Sequence, residues 1–460
     1  MTSCLPRTGS REEKIMASQR EQWNSRTGFI LATVGSAVGL GNVWRFPTVV
    51  VQSGGGAFVL LFLAIVLVIG VPAIIVELTL GRRSQKNILG TFLILAPGTK
   101  WWVAGLFSLV AVFVILSFYS VIAGWAAIYF VGSLLGIFSG LETEGLTLLF
   151  GEIAGHGFLS LLAQGIFMLA TIIIVSTGIT GGIERWSKFL MPGIIVILFM
   201  LLGRTLLLEG ALEGVLWFLT PDLSQINLDV ALSAVGQVFF SFSLGMGAIL
   251  TYGSYLSPRE NIPQSAILIG FADVAIALLM GLIIIPALFV FNVQPEVGPG
   301  IIFVTLPAIF NTIPGSMVWS ALFFLMLTFA ALTSAVSLLE VGVAYFMDAR
   351  KWSRRAATVL LGSLIFLIGV PSNLSQGIWS NVLIFGRDFL DLMDFTASSI
   401  LLPLGGFFTV IFLAWIWGTE NALKELNKGA STFMWGSGWA FLVKYIIPVA
   451  ILYIFVSGML

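Results

Sequence analysis

Long apolar stretches alternate with short polar ones along the whole chain. Measured against the roughly 20 residues that cross a bilayer as a helix, the pattern predicts about eleven spans. They fall near residues 27–52, 56–81, 101–135, 158–177, 184–208, 231–257, 262–292, 317–349, 354–371, 390–418 and 438–458. Two spans break the pattern. The first contains Gly35-Ser-Ala-Val-Gly-Leu-Gly-Asn-Val-Trp-Arg-Phe-Pro47. Gly35, Gly39 and Gly41 each weaken a helix by about 1 kcal/mol relative to Ala, and Pro47 removes a backbone donor. The sixth contains Gln237-Val-Phe-Phe-Ser-Phe-Ser-Leu-Gly-Met-Gly247, again a run of Gly and Ser halfway across. Broken helix at membrane depth is tolerated only where it lines a cavity or binds something. A flexible packing site of small residues is the plainer reading, but packing does not require Asn42 and Arg45 within the break.

Composition agrees with a polytopic membrane protein. The 460 residues are 58% hydrophobic and 10% charged, with mean hydropathy +1.04. Charge then orients the spans. Arg7, Arg11, Lys14, Arg20 and Arg26 precede the first; Arg82, Arg83, Lys86 and Lys100 follow the second. Arg185, Lys188, Arg259, Arg350, Lys351, Arg354, Arg355, Lys424 and Lys428 fill the later alternate loops. The opposite loops hold Glu142, Glu144, Glu152, Glu209, Glu213, Asp222 and Glu296, with only Arg204 and Arg387 positive. The positive-inside rule therefore predicts a cytoplasmic N-terminus. The polar, basic tail 1–26 reads as no cleavable leader. One cysteine (Cys4) and one histidine (His156) exclude disulfide frameworks, Cys/His metal sites and His-based triads.

Several polar side chains converge on mid-depth. Asp273 lies ten residues beyond Pro263, about 15 Å into its span. Ala330-Ala-Leu-Thr-Ser334 is midway along the eighth span, where the hydroxyls could instead bond their own helix. Tyr119 sits near the middle of the third span, where a hydroxyl needs a partner. Glu77 has two readings, a structural partner for broken-helix N–H groups or part of an ion path. Trp23 is as readily a headgroup anchor as a gate. Gly182 and Pro192 bracket a plausible unwinding hinge in the fifth span. Carbonyls, Asn, Ser, Thr and one carboxylate make a site for a hard monovalent cation. Half-helix N-termini suit an anionic substrate group. The chemistry predicts cation-coupled uptake of a small solute bearing a carboxylate. Two interrupted spans, each the first of five, point to an inverted repeat, 27–208 and 231–418, with 438–458 as an additional helix.

From about Arg20 to the C-terminus the chain resembles the neurotransmitter:sodium symporter family, in its bacterial amino-acid branch of eleven-span hydrophobic amino-acid transporters, with an all-α, leucine-transporter-like fold. The motifs that carry the resemblance are Gly35–Pro47, Gly54-Gly-Gly-Ala-Phe58, Ser241-Phe-Ser-Leu-Gly-Met-Gly247, Leu332-Thr-Ser334 and Gly182 through Pro192. It implies one sodium held by the Ala37 carbonyl, Asn42, Ser241, Asp273 and the substrate carboxylate. A second would touch the carbonyls of Gly35, Val38 and Ala330 and the hydroxyls of Thr333 and Ser334. Tyr119 would bond the substrate carboxylate beside the Leu40 and Gly41 amides. Ser36, Ile115, Phe240, Ser243, Met246 and Leu338 would line the side-chain pocket. Arg45 and Asp394 resemble an outer gate with Phe240 as lid, and Arg20 and Asp348 an inner one beside Trp23 and Tyr255.

The chain also departs from the family pattern. Asp273 stands where most members have Asn, and Ala277 where chloride-dependent members have Ser. Gly39 stands where monoamine carriers have Asp, so the substrate must bring its own carboxylate. The resemblance thus implies a sodium-coupled, chloride-independent symporter of hydrophobic L-amino acids in a bacterial inner membrane. Asp273 has two readings: it returns protonated once sodium has left, since a buried carboxylate without a cation favours its neutral form, or it is a stronger sodium ligand than Asn that stays ionised, paired with another cation, throughout the cycle. A channel would need an open water path, which two gates oppose. An enzyme would need a nucleophile–base pair or a metal cluster, and neither is evident. No nucleic-acid partner is expected, and the oligomeric state is not legible.

Overall fold

The computed structural model describes residues 20–291, 299–428 and 436–459. Cys4, Arg7, Arg11, Lys14 and Glu296, and with them most of the 1–26 tail, lie outside these. Among the described residues there are helices and no strands, only an isolated bridge between Ile384 and Arg387. Nine helices among the described residues are long and apolar enough to cross a membrane: Gly56–Ser84, Trp102–Leu134, Gly157–Ser176, Ile179–Leu206, Ile262–Phe291, Ser316–Arg350, Arg354–Leu374, Phe389–Leu426 and Ser437–Met459. A tenth crossing is the bent pair Arg26–Ala37 and Gly41–Gln52, which meet at 57°. The expected sixth span is two short helices, Leu228–Ser241 and Ala248–Gly253.

Both breaks follow from their sequences. Ser25 caps the first span by accepting from the Gly28 amide at 3.1 Å. That helix ends at Ala37, and Gly41–Arg45 continues as one wide π-type turn. In the sixth span Ser243, Gly245 and Gly247 all take positive φ (52°, 80° and 73°), which ends one helix and starts the next. This frees amides in a buried place. Glu77 takes two of them, accepting from Gly245 at 2.8 Å and Leu250 at 3.2 Å. Of the two readings of Glu77, the geometry supports the structural one.

The third and eighth spans pack against each other at the centre, and the eighth also touches the first, fifth and ninth. Four further helices lie between spans: Ile88–Leu95, Thr143–Gly155, Ala211–Leu219 and Ile301–Asn311. The apolar-run reading passed over them because all are shorter than a span. The fifth span departs from expectation in a second way. It starts with a π-type turn, Ile179–Glu184, after Gly178 at φ 98°. It then stays helical through Pro192. No unwound hinge separates Gly182 from Pro192; a membrane helix tolerates a proline when its neighbours re-satisfy the freed carbonyl.

Candidate functional site

The side of the bundle that carries the basic loops is called inner below, and the other outer. Between the two broken spans a cavity of about 270 Å³ opens at mid-depth. Ser36, Ala37, Leu40 and Gly41 form its wall from the first span, Ile115 and Tyr119 from the third, Phe240, Ser243 and Met246 from the sixth, and Ser334 and Leu338 from the eighth. All eleven were expected there. Helical spacing on the third span adds Phe118 and Ile122, which share the face of Ile115 and Tyr119. Gly39, singled out for its lack of a carboxylate, and Asp394, expected at the outer gate, also line it; Trp44 of the first span, Pro299, Leu390, Asp391, Ser398 and Leu402 were not anticipated. The tenth-span members carry the cavity outward; Leu390 and Ser398 lie one helical turn either side of Asp394. Gly39 has a packing reason: a Cβ there would sit 2.8 Å from the Ser334 hydroxyl and 3.1 Å from that of Tyr119.

The Tyr119 hydroxyl is buried near Ser334 and the Leu40 backbone, yet makes no hydrogen bond of good geometry. A buried phenol without a partner is costly, and this one faces a cavity that could supply an acceptor.

Two oxygen clusters flank the cavity. In the first, Asn42 donates to Asp273 Oδ1 at 2.9 Å and Ser241 donates to Asp273 Oδ2 at 2.6 Å, with Asn42 Oδ1 3.4 Å from Ser241. All three are at most 1% exposed. Ser241 belongs to this cluster alone and does not line the cavity, which corrects its expected contact with substrate. The reason is helical direction: Ser241 points away from the face that carries Phe240 and Ser243. In the second cluster, the Ser334 hydroxyl lies 3.3 Å from each of three carbonyls, those of Gly35, Ser36 and Val38. One hydroxyl proton cannot satisfy three carbonyls, and a hard monovalent cation is the chemistry that can. Thr333 behaves as the plainer reading had it, donating to its own helix at Ala330 (2.9 Å). Its side chain nevertheless abuts Gly35. Among the described residues there is no group of three or more His, Cys, Asp or Glu that could hold a metal ion.

The two ends of the path differ. On the inner side Arg20 meets Asp348 at 2.6 Å and Ser254 at 2.8 Å, and stacks over the Tyr255 ring. The Trp23 indole donates to the Tyr252 carbonyl at 3.0 Å and lies edge-on to both Tyr252 and Tyr255. The expected residues are therefore together, with Trp23 packed among them, a group called the inner plug below. Sequence reasoning missed their support: Tyr255 donates to Glu340 at 2.6 Å, and Arg354 reaches the same carboxylate at 2.7 Å. Glu340 is wholly buried, and the cost of an intramembrane acid was the signal that could have found it. On the outer side Arg45 and Asp394 are apart. Arg45 lies 4.5 Å over the Phe240 ring, and Asp394 accepts from Ser398 at 2.9 Å. The inner side is closed and the outer pair is not joined.

A helical bundle with two facing broken spans, a mid-depth cavity and a gate at each end defines a secondary transporter. The chain belongs to the sodium:neurotransmitter symporter family, which it matches over residues 20–139 and 148–460. It is similar to the uncharacterized sodium-dependent transporter YhdH of Bacillus subtilis, 38% identical over 95% of this chain and 97% of that one. An uncharacterized sodium-dependent transporter of Haemophilus influenzae is 36% identical over 96% and 98%. Among solved structures, MhsT in complex with L-phenylalanine superposes with a TM-score of 0.87 at 45% identity, covering 96% of this chain and all of that one.

Proposed function

We propose that this chain is a sodium-coupled importer of hydrophobic L-amino acids, working by alternating access in a bacterial inner membrane with its N-terminus in the cytoplasm. The observation that carries the reading is the cavity itself, which has an unpartnered Tyr119 hydroxyl at its polar end and mostly apolar walls beyond. A zwitterion fits that division. Its carboxylate would take the Tyr119 proton and the Leu40 and Gly41 amides, and its side chain would lie among Ile115, Phe240, Met246 and Leu338. Burying a Leu-sized group there contributes about 1.5–3 kcal/mol. The likeness to a protein solved with L-phenylalanine supports an amino-acid substrate.

Sodium is cargo in this scheme. The Asn42–Ser241–Asp273 cluster with the Ala37 carbonyl takes one ion; Gly35, Val38, Ala330, Thr333 and Ser334 take the other. Residues 27–208 and 231–418 act as two five-span repeats that rock about the cavity. The test is substrate uptake into proteoliposomes driven by an inward sodium gradient. Accumulation abolished by a sodium ionophore is expected; uptake indifferent to sodium would overturn the reading.

Two variants probe the walls. Met246 is flexible and polarizable, so it can repack around ligands of different shape. Met246→Phe should weaken Trp binding several-fold more than Leu binding, measured by competition in equilibrium binding. Equal losses would remove Met246 as the residue that sets pocket volume. Asp394 is the partner Arg45 needs when the outer side shuts, and truncation would leave that cation desolvated. Asp394→Ala should therefore cut uptake at least tenfold while leaving the amount of protein in the membrane unchanged. Normal uptake by this variant would take Asp394 out of the mechanism.

A further inference from the structure

The inner gate as expected consists of Arg20, Asp348 and two aromatic residues. These fix residues 20 and 23 but leave Asn24 and Ser25, at the very base of the first span, without a hold. The structure supplies one from an element the gate does not include. Glu184, the last residue of the π-type turn that opens the fifth span, is 1% exposed. Its carboxylate accepts from the Asn24 amide at 2.8 Å and the Ser25 hydroxyl at 2.7 Å, and meets the Lys188 ammonium at 2.6 Å. Ser25 is itself the N-cap of the first span. Gly28, one turn on, packs so closely on Glu184 that any Cβ there would collide with the carboxylate. A second tie runs in parallel: Glu21 accepts from the Ile179 amide at 2.9 Å and from Arg354 at 3.2 Å.

We propose that Glu184 is a positioning residue of the inner gate, clamping the base of the first span to the start of the fifth so that both must be released together. The physical argument is accounting of buried groups. If the first span swings away alone, Glu184 gives up two of its three donors and keeps only the Lys188 ammonium, so two charge-assisted hydrogen bonds are lost. If the turn 179–184 opens alone, Ser25 and the Asn24 amide are stripped of their acceptor. Either partial motion is penalised, whereas joint motion exposes the carboxylate and all its donors to water at once. Charged hydrogen bonds are the strong ones, and this clamp, whose carboxylate is 2% accessible, adds to the Arg20–Asp348 pair, whose side chains are 13% and 26% accessible. Lys188 faces Glu184 from its own helix, and Asn24, Ser25 and Gly28 face it from the first span; among the described residues no second carboxylate contacts this group.

The proposal rests on the carrier reading but not on the identity of the substrate, and its test needs neither substrate nor transport. Hydrogen exchange of the full chain in sodium-containing nanodiscs would be compared between wild type and Glu184→Gln. The Gln amide keeps the volume, loses the charge and turns a donor toward other donors. Exchange of residues 24–29 and 178–184 is expected to rise together by about tenfold, with 316–350 unchanged. Gly28→Ala, which adds one methyl against the carboxylate and removes no polar group, should reproduce the paired rise. Ser25→Ala, the mildest variant, should give a smaller rise in the same two segments. The apparent sodium affinity of Glu184→Gln should fall about threefold or more, because inward-open molecules are withdrawn from the sodium-binding population. A rise confined to one of the two segments, a rise spread over the whole chain in all three variants, or exchange equal to wild type would overturn the clamp. Loss of sodium-driven uptake in the wild type would instead sink the carrier reading while leaving the exchange result intact.

Discussion

Replacing chloride by gluconate should leave uptake into proteoliposomes at its full rate, and Asp273→Ala should abolish it. In the proposed scheme two sodium ions and a zwitterion bring net positive charge into low dielectric, so an anion must stand nearby. We propose Asp273 as that anion. It is wholly buried, and among the described residues it takes hydrogen bonds from Asn42 and Ser241 and has no cation against it. Removing one partner of a buried charge pair costs about 3–5 kcal/mol, or two to four decades in sodium affinity at about 1.4 kcal/mol per decade. Ala277 lies one helical turn away and offers no hydroxyl to hold chloride. Asp273→Asn alone should therefore be inactive at any chloride concentration, and Asp273→Asn with Ala277→Ser should regain uptake that requires chloride. The same carboxylate should carry a proton outward on the return step. Protons load it from the inside, so acidifying the interior at fixed external pH should speed uptake and alkalinising it should slow uptake. Uptake that collapses without chloride would defeat the first claim. A rate and a trapped-dye signal both indifferent to internal pH would defeat the second.

Glu77→Ala is expected to have the next largest effect, on folding rather than on turnover. The break at Ser243–Gly247 frees amides that no water reaches, and Glu77 satisfies two of them. Each buried donor left unpaired costs about 1–3 kcal/mol, so the loss is about 2–6 kcal/mol, comparable to the whole stability of many domains. The variant should show a sharply lowered thermal midpoint in detergent and little protein in the membrane. Glu77→Gln keeps one acceptor and should fall between it and wild type. A midpoint equal to wild type in both variants would mean that the break is held by other groups.

The spans, both breaks and most of the cavity wall were legible in the sequence for a common reason. Each depends on a property local to a segment: apolar length for the spans, Gly and Ser at mid-depth for the breaks, and family motifs for the wall. Tyr119 drew notice as a hydroxyl in the middle of an apolar helix, and the structure leaves it facing the cavity. What was not legible depends on which distant segments meet. Nothing near Glu184 or Glu21 in the chain reveals that they bond residues 24 and 179. Ser241 was assigned to two neighbours at once because sequence gives its position but not its direction. The unjoined Arg45 and Asp394 reflect which side of the molecule is open, and one sequence serves every state of the cycle.

The inner plug has a consequence for where such a carrier can work. The Arg20–Asp348 ion pair lies at its rim and is subject to screening by mobile ions, with a Debye length of about 8 Å at physiological ionic strength. The packing of Trp23 on Tyr252 and Tyr255, at 5.1 and 6.4 Å between ring centroids, is not. Ring contacts of this kind contribute about 0.5–1.5 kcal/mol each beyond their buried area, and burial strengthens with excluded salts. These ring contacts are ones that concentrated electrolyte leaves intact, so the inner seal should hold in a brine that dissolves surface ion pairs.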